Sequence, residues 1–439
     1  MMIYKQKNEM KKYKKTTLPI EILVTLYRSL KKITINIYSM EFLSRRVTEM
    51  AESETLAMTR IARELKAQGM DVISLSIGEP DFNTPEPIKE FAKQAIDENW
   101  SHYSPVPGYP ELRKAIVEKL KRDNNLDYTM DQIIVSTGAK QSIANAVMVL
   151  VNPGDEVIIP TPYWVSYKEI VKLAEGTSVF VRCGIENNFK VTPEQLEKAI
   201  TPKTKLIMFS SPSNPTGMLY TKEELAGIAK VLERHPHVFV MADEIYEHIN
   251  FEGKHESLAQ FSAIKDQVIT INGVSKGYAM TGWRIGFMAA QASIAKACDK
   301  IQGQITSGTS SISQRAAIKA MEINPATDAS IHEMRKTFME RRDVMFNLLK
   351  EIPNIHVNLP QGAFYFFPDV KYYYGKKYDK YDIKDGNDLC FYLLYEAQVA
   401  LVPGSAFGDP DCIRLSYATS TDKLIEAVAR IKKALEKLK

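Results

Sequence analysis

Lys276 and Arg284 stand eight residues apart in the stretch VITINGVSKGYAMTGWRIGF, which covers positions 268–287. The β-branched run VITI that opens it suits a buried strand, and Asn272-Gly273 breaks that run just before the lysine. An amine held past a strand end among apolar neighbours is poorly solvated. Burial therefore disfavours its charged form and leaves a nucleophile able to condense with an aldehyde. Arg284 adds a permanent cation within reach of the same turn. An aldehyde and a phosphate together describe pyridoxal phosphate, although a solvated surface lysine is the plainer reading of this stretch taken alone.

Four other apolar runs end in residues with something to offer such a ligand. After 133–136 comes Thr137-Gly138-Ala139-Lys140-Gln141, a small-residue turn feeding a helix, whose free N–H groups and positive dipole end favour an anion. It is neither a P-loop, since the G-K-[ST] tail is missing, nor G-x-G-x-x-G. After 156–159, Pro160-Thr161-Pro162 stiffens the chain ahead of Trp164, which can stack on a heteroaromatic ring or fill the core. After 206–209, two prolines at 212 and 215 aim the Asn214 amide, a donor for a phenolate oxygen. After 238–241, Asp243 closes an apolar strand, where an unpaired carboxylate is costly. A protonated pyridine nitrogen would relieve it, as would a lysine or arginine. Tyr246, three residues on, can offer its hydroxyl beside Asn214. Each signal is weak alone; jointly they supply the contacts that one pyridoxal phosphate requires.

The elements that must hold these groups alternate. Candidate strands at 133–136, 156–159, 178–181, 206–209, 238–241 and 268–271 are separated in several places by helical patterns, at 142–150, 167–173, 193–200 and 222–233. Earlier helices are expected from Asn83 to Ala95 and over 111–122. Apolar strands divided by helices imply a mostly parallel sheet covered on both faces, and ligands in such folds gather at the carboxyl ends of the strands. The second half differs. A long helical region over 315–350 breaks at Asn324-Pro325, shorter strands follow near 362–367, 400–402 and 412–416, and a helix closes the chain over 422–438. This pattern predicts a smaller α+β domain. The lysine- and tyrosine-rich stretch 371–386 reads as a solvated loop rather than a nucleic-acid site.

Length and composition agree with a globular enzyme of two or three domains: 439 residues, 45% hydrophobic and 25% charged. The net charge of +4 is unevenly placed, because residues 1–39 carry +7 and leave −3 on the remainder. The remainder gives no reason to expect nucleic acid or an acidic membrane as a partner. Residues 1–39 are too interrupted for a membrane span and match no transit or secretory signal, so a poorly ordered extension or a misassigned start ahead of Met40 is expected. The four scattered cysteines include no C-x-x-C pair, which points to reduced packing cysteines in a cytoplasmic protein, with no disulfide framework and no metal site.

The order and wording of GEPDF, YWVSY, SPSNPTG, DEIYEH, SKGYAMTGWRIG and RLSYATS resemble the fold-type I aminotransferases of the aspartate aminotransferase family, over residues 40–439. The resemblance implies an α/β fold. Its large domain, over 88–321, holds a mostly parallel central sheet covered by helices. A smaller α+β domain comprises 322–439 with the arm at 40–87. It implies pyridoxal 5′-phosphate as cofactor, with Lys276 as the Schiff-base lysine, Asp243 on the ring nitrogen, Asn214 and Tyr246 on the phenolic oxygen, and Trp164 as ring stacker. Ala139, Lys140, Ser275 and Arg284 match positions around the phosphate. Tyr103 matches the tyrosine that reaches the phosphate from the other subunit of a homodimer. Arg414 and Gly78 match the grip on the substrate α-carboxylate.

Two departures from the family pattern bear on substrate. Gly273 stands where some branches carry a phosphate-binding serine, and no arginine lies over 302–313 to read a distal carboxylate. The wording is instead similar to a bacterial branch in which Lys140 reads that carboxylate and Thr55 lines the pocket. The implied reaction is transamination between an amino acid, best aspartate with 2-oxoglutarate as acceptor, and a 2-oxo acid. The alternatives are prephenate, aromatic or alanine aminotransferases and a carbon–sulfur lyase on the same scaffold. A transcription regulator of this fold would need a winged-helix domain, for which 39 residues are too few.

Overall fold

The computed structural model describes residues 42–51 and 54–439. The expectation about residues 1–39 lies outside them. The chain divides into two units at Met50/Ala51. The described part of the first unit holds a one-turn helix, Arg45–Thr48.

In the second unit, helix α1 (Glu54–Ala67) and the short strand β1 (Ile73–Ser74) precede helices α2 (Glu86–Asp97) and α3 (Pro110–Asn124). Both α2 and α3 carry proline in the first turn, where its missing N–H is no loss. Then the alternation read from the sequence appears: β2 (Ile133–Ser136), α4 (Ala139–Leu150), β3 (Glu156–Thr161), α5 (Ser166–Leu173), β4 (Thr177–Arg182), α6 (Pro193–Ala199), β5 (Thr204–Ser210), α7 (Lys222–Arg234), β6 (Phe239–Asp243), β7 (Val268–Gly273) and β8 (Gly286–Ala289). Thr192 and Thr221 start α6 and α7 with reciprocal capping boxes. Helices α8 (Ala292–Ile305), α9 (Ser311–Glu322) and α10 (Ala329–Lys350) follow, with the expected break at Asn324-Pro325 between the last two.

The seven strands form one sheet in the order β2-β8-β7-β6-β5-β3-β4. All run parallel except β8, which lies antiparallel between β2 and β7. The sequence reading missed β8, a four-residue strand joined to β7 by the irregular segment 274–285 rather than by an α-helix. Alternate residues feed two cores. Ile133, Val135, Ile158, Ile207, Val240 and Val268 pack to one face. Ile134, Val157, Ile159, Met208, Met241 and Ile269 pack to the other, with α4, α5 and α8. Both faces are covered, as nearly continuous apolar strands require.

The C-terminal part holds β9 (Tyr365–Phe366), β10 (Lys377–Tyr378), β11 (Tyr381–Asp382), α11 (Gly386–Glu396), β12 (Val399–Ala400), β13 (Val402–Pro403), β14 (Ile413–Ser416) and α12 (Thr421–Leu435). Strands β13-β14-β9 make a separate sheet, and β1 pairs with β12. One expectation is corrected here. The stretch 371–386 is no plain solvated loop, because β10 and β11 form an antiparallel hairpin within it. Tyr373 is buried, and Tyr378 and Tyr381 pack on Tyr392. The lysine count masked an aromatic face with its own burial to satisfy. No described helix is long and apolar enough to cross a membrane, and the four cysteines are free and buried.

Candidate active site

Strands β2, β3, β5, β6 and β7 all end at one edge of the sheet, and β8 begins there, its Gly286 opposite both Ser136 and Gly273. Everything the strand ends present converges on a cavity of about 280 Å³. Its lining includes Thr55, Gly78, Ala139, Lys140, Trp164, Asn214, Asp243, Tyr246, Ser275, Lys276, Arg284 and Arg414. Of the site residues expected from sequence, only Tyr103 is absent from that lining; its side chain is 98% exposed.

Lys276 reaches into the cavity with its Nζ donating to the Gly78 carbonyl at 2.6 Å, and it lies 5.9 Å from the ring centres of Tyr246 and Phe364. Burial pulls its pKa down to about 8, a neighbouring Glu79 opposing the shift. A carbonyl cannot donate, so any hydrogen bond from Gly78 to a carboxylate comes from its N–H, while the carbonyl accepts from the lysine. Asp243 is the last residue of β6 and 5% exposed. It accepts from Tyr167 Oη on Oδ2 at 2.9 Å and from the Ile245 N–H on Oδ1 at 3.3 Å. Burial nonetheless raises its pKa to about 6.

At one end of the cavity Gly138, with φ +81°, turns the chain into α4. That torsion is what requires glycine, and a Cβ there would also push on the Arg284 guanidinium tip, which shows how closely the cation approaches this turn. Arg284 itself adopts φ +57° and is anchored by Nη1 on the Thr281 carbonyl at 2.7 Å. The first N–H groups of α4 and this cation share one spot, an anion cradle. Gly273 has a spatial reason as well. A Cβ would come within 2.8 Å of Gly286 Cα and the Ile285 carbonyl, so the serine of other branches has no room.

At the other end lies Arg414 of β14, 2% exposed. It donates to Asn214 Oδ1 at 3.0 Å and the Ser76 carbonyl at 2.7 Å, and lies over Tyr365 and Phe407. Its Nε has no partner, and among the described residues no carboxylate pairs with it. A buried guanidinium that lines a cavity with no counter-ion among the described residues suits an anion. Lys140 Nζ stands 4.9 Å from the Trp164 ring centre. Desolvation, with Arg284 nearby, lowers its pKa. The Thr55 hydroxyl is buried, with no partner among the described residues.

Comparison with known proteins decides what this cavity belongs to. The family profile described as aminotransferase class I and II matches residues 70–431. The chain belongs to that family. This aminotransferase is 47% identical to the bifunctional aspartate aminotransferase and glutamate/aspartate-prephenate aminotransferase of Petunia hybrida, over 95% of this chain and 86% of the relative. It is 48% identical to a probable aspartate/prephenate aminotransferase of Rickettsia bellii, over 90% of this chain and 99% of the relative. Among solved structures, the aspartate aminotransferase of Rhizobium meliloti superposes with a TM-score of 0.87 at 44% identity, covering 90% of this chain and 99% of that one.

The enzyme's cofactor is pyridoxal 5′-phosphate, and the cavity fits it. The cradle at Gly138 and Arg284 suits a phosphate, the desolvated carboxylate of Asp243 suits a ring cation, and Lys276 suits an aldehyde. Sequence reasoning missed Tyr167, which holds Asp243, and Tyr365, whose hydroxyl meets that of Tyr246 at 2.8 Å. Tyr167 closes the YWVSY motif but stands on a helical pattern that reads as core. Tyr365 is 119 positions from Tyr246, and nothing local ties them.

Proposed function

We propose that this aminotransferase exchanges the amino group of a dicarboxylic amino acid, aspartate above others, with 2-oxoglutarate as acceptor. One observation carries the reading: a lowered-pKa lysine and a buried carboxylate line one cavity, between an anion cradle and a buried arginine with no counter-ion among the described residues. Ala139, Lys140, Ser275 and Arg284 hold the phosphate, Asp243 the ring nitrogen, Asn214 Nδ2 and the Tyr246 hydroxyl the phenolic oxygen, and Trp164 covers the ring. Bound pyridoxal phosphate supplies the electron sink that accepts the pair left when the substrate Cα–H bond breaks.

The chain's own groups do the rest. Arg414, backed by the Gly78 N–H, grips the α-carboxylate with the rigid fork that suits it and sets the Cα–H bond toward Lys276. With a pKa of about 8, Lys276 in its neutral form takes that proton as general base and returns one as its conjugate acid. Asp243 holds the ring proton in place. Lys140 and the Thr55 hydroxyl receive the distal carboxylate. Prephenate, which also carries two carboxylates, is the second reading. It is favoured by the Petunia and Rickettsia relatives, whose names include it.

Tyr103 completes the phosphate site of a second subunit in a homodimer; its exposure supports this role. The pairing of β1 with β12 supports grouping the segment around β1 with a small C-terminal domain over 322–439, against a large domain over 88–321. Four free cysteines suit a reducing, cytoplasmic setting. A donor and acceptor panel on the purified holoenzyme tests the assignment, with alanine, aromatic amino acids, prephenate and cystathionine as comparators. Keto-acid release from aspartate alongside an inactive Lys276→Ala variant supports it. Pyruvate and ammonia from cystathionine would move the enzyme to the lyases.

A further inference from the structure

Behind the two turns that present the reactive groups lies a buried polar cluster that the mechanism above does not use. Lys119 of α3, 1% exposed, pairs with Glu247 Oε1 and donates to Asn124 Oδ1 at 2.8 Å. Asn124 in turn donates to Glu247 Oε2 at 2.9 Å. The His248 Nε2 lies 3.4 Å from Glu247 Oε1 and 3.2 Å from Tyr278 Oη. On the same turn, Glu244 accepts from Ser257 at 2.6 Å and faces His255 at 3.1 Å. Asp123 stands 3.9 Å from Lys119 and pairs with Arg122. Burial of so many charges does little for stability, since apolar side chains of similar volume serve as well.

Its placement is what marks the cluster. In the segment 243–248, Asp243 and Tyr246 line the cavity, while Glu244, Glu247 and His248 anchor the turn from behind. The Lys276 turn is fastened to the same anchor. Tyr278 bonds His248, and a Cβ on Gly277 would come within 2.5 Å of His248 Cδ2 and 3.1 Å of its Cβ and Cγ. Gly277 does not adopt a positive φ, so space against the histidine is what demands glycine there.

We propose that His248 is a positioning residue for Lys276, a wedge braced by the Lys119–Glu247 pair that locks the lysine's turn to the turn bearing Asp243 and Tyr246. The inference rests on the reading of Lys276 as the proton carrier. His248 stays neutral in this role, its pKa driven down to about 4 by burial, with Lys119 helping and Glu247 opposing. A wedge of fixed shape and charge sets where the Lys276 amine stands relative to the substrate Cα, and how dry it is.

The test is a double-mutant cycle on the holoenzyme with Gly277→Ala, His248→Ala and both together. It reads kcat, KM and the pH midpoint of the bound cofactor's visible absorbance. Gly277→Ala pushes the turn off the ring and is expected to lower kcat about ten- to hundredfold with little change in KM. His248→Ala removes the brace and shifts the absorbance midpoint. In the double variant the new methyl occupies space the ring vacated, so the combined loss is smaller than the product of the single losses. If Gly277→Ala fails to fold and the double variant folds, that rescue is the same coupling. Independent losses, or a His248→Ala midpoint equal to that of the parent enzyme, would overturn the proposal. Turnover in Lys276→Ala would instead remove the reading beneath it.

Discussion

Tyr167 Oη donates to Asp243 Oδ2 at 2.9 Å, with both side chains buried and the carboxylate lining the cavity. The carboxylate's only other donor among the described residues is the Ile245 N–H. Two hydrogen bonds do not offset the loss of water, and the carboxyl pKa stays raised at about 6. On the proposed pairing of Asp243 with the ring nitrogen, cofactor capture needs the ionised form, so affinity of the apoprotein for pyridoxal phosphate is expected to fall as pH drops through about 6. Tyr167→Phe removes a bond to a charged acceptor worth about 1.5–3 kcal/mol. It should move that midpoint up by about one to two pH units, measured by fluorescence titration of apoprotein at several pH values.

The same shift has a consequence for stability. A carboxyl whose folded pKa lies above its unfolded value holds its proton longer in the native state, so native structure loses stability as pH rises from about 4 to about 6. Above that window the buried charge costs about 3 kcal/mol. Asp243→Asn apoprotein is therefore expected to melt higher than the parent at pH 7.5 and equally at pH 4. With cofactor bound the order is expected to reverse, because on the proposed role of Asp243 the ring cation loses its partner. Calorimetry of apo and holo forms at both pH values checks the sign.

Arg414 bonds Asn214 Oδ1 through Nη1, lines the cavity and has no carboxylate partner among the described residues; its proposed second task is to meet the substrate α-carboxylate. Arg414→Met is expected to cut kcat/KM for every amino acid by about 10²- to 10³-fold, because the α-carboxylate then enters a buried site with no cation to meet it. Unlike a purely substrate-binding change, it also loosens the cofactor, because Asn214 is released. Equilibrium dialysis of the cofactor alongside steady-state kinetics separates the two effects.

Lys140 offers a sharper discrimination. Its Nζ sits over Trp164 at the cavity wall, with no carboxylate partner among the described residues. Lys140→Ala is expected to lower kcat/KM for aspartate and glutamate about tenfold or more, the worth of a hydrogen bond to a charged group, and to spare alanine. Equal losses for aspartate and alanine would show that the distal carboxylate is read elsewhere.

The alternation of strands and helices was legible because both sides of the sheet are buried, and fully apolar strands announce themselves. Asp243, Asn214 and Lys276 were legible for the converse reason: polar groups at the ends of such runs need partners. What escaped was long-range pairing. Strand β8 is four residues set antiparallel between parallel neighbours, a placement no local period encodes. Tyr167 falls in a helical pattern and Tyr365 in a short strand pattern, and nothing local shows that their hydroxyls reach Asp243 and Tyr246. The hairpin in 371–386 was hidden because its tyrosines bury against Tyr392 while its lysines stay wet.

Gly273 makes the last case, since its bare backbone stands where some branches place a phosphate-binding hydroxyl. It lies opposite Gly286 where β7 meets β8, and an added Cβ would crowd both Gly286 Cα and the Ile285 carbonyl at 2.8 Å. Backbone atoms of a paired strand cannot swing aside as a side-chain tip can. Gly273→Ser is therefore expected to gain no cofactor affinity and to destabilise by about 1–3 kcal/mol, the range for overpacking. The strain falls close to Lys276 and Arg284, so kcat should drop as well, whereas a serine that found room would tighten the cofactor. Denaturant unfolding and a cofactor titration on the same preparation tell these outcomes apart, because overpacking and a gained phosphate bond move the two measurements in opposite directions.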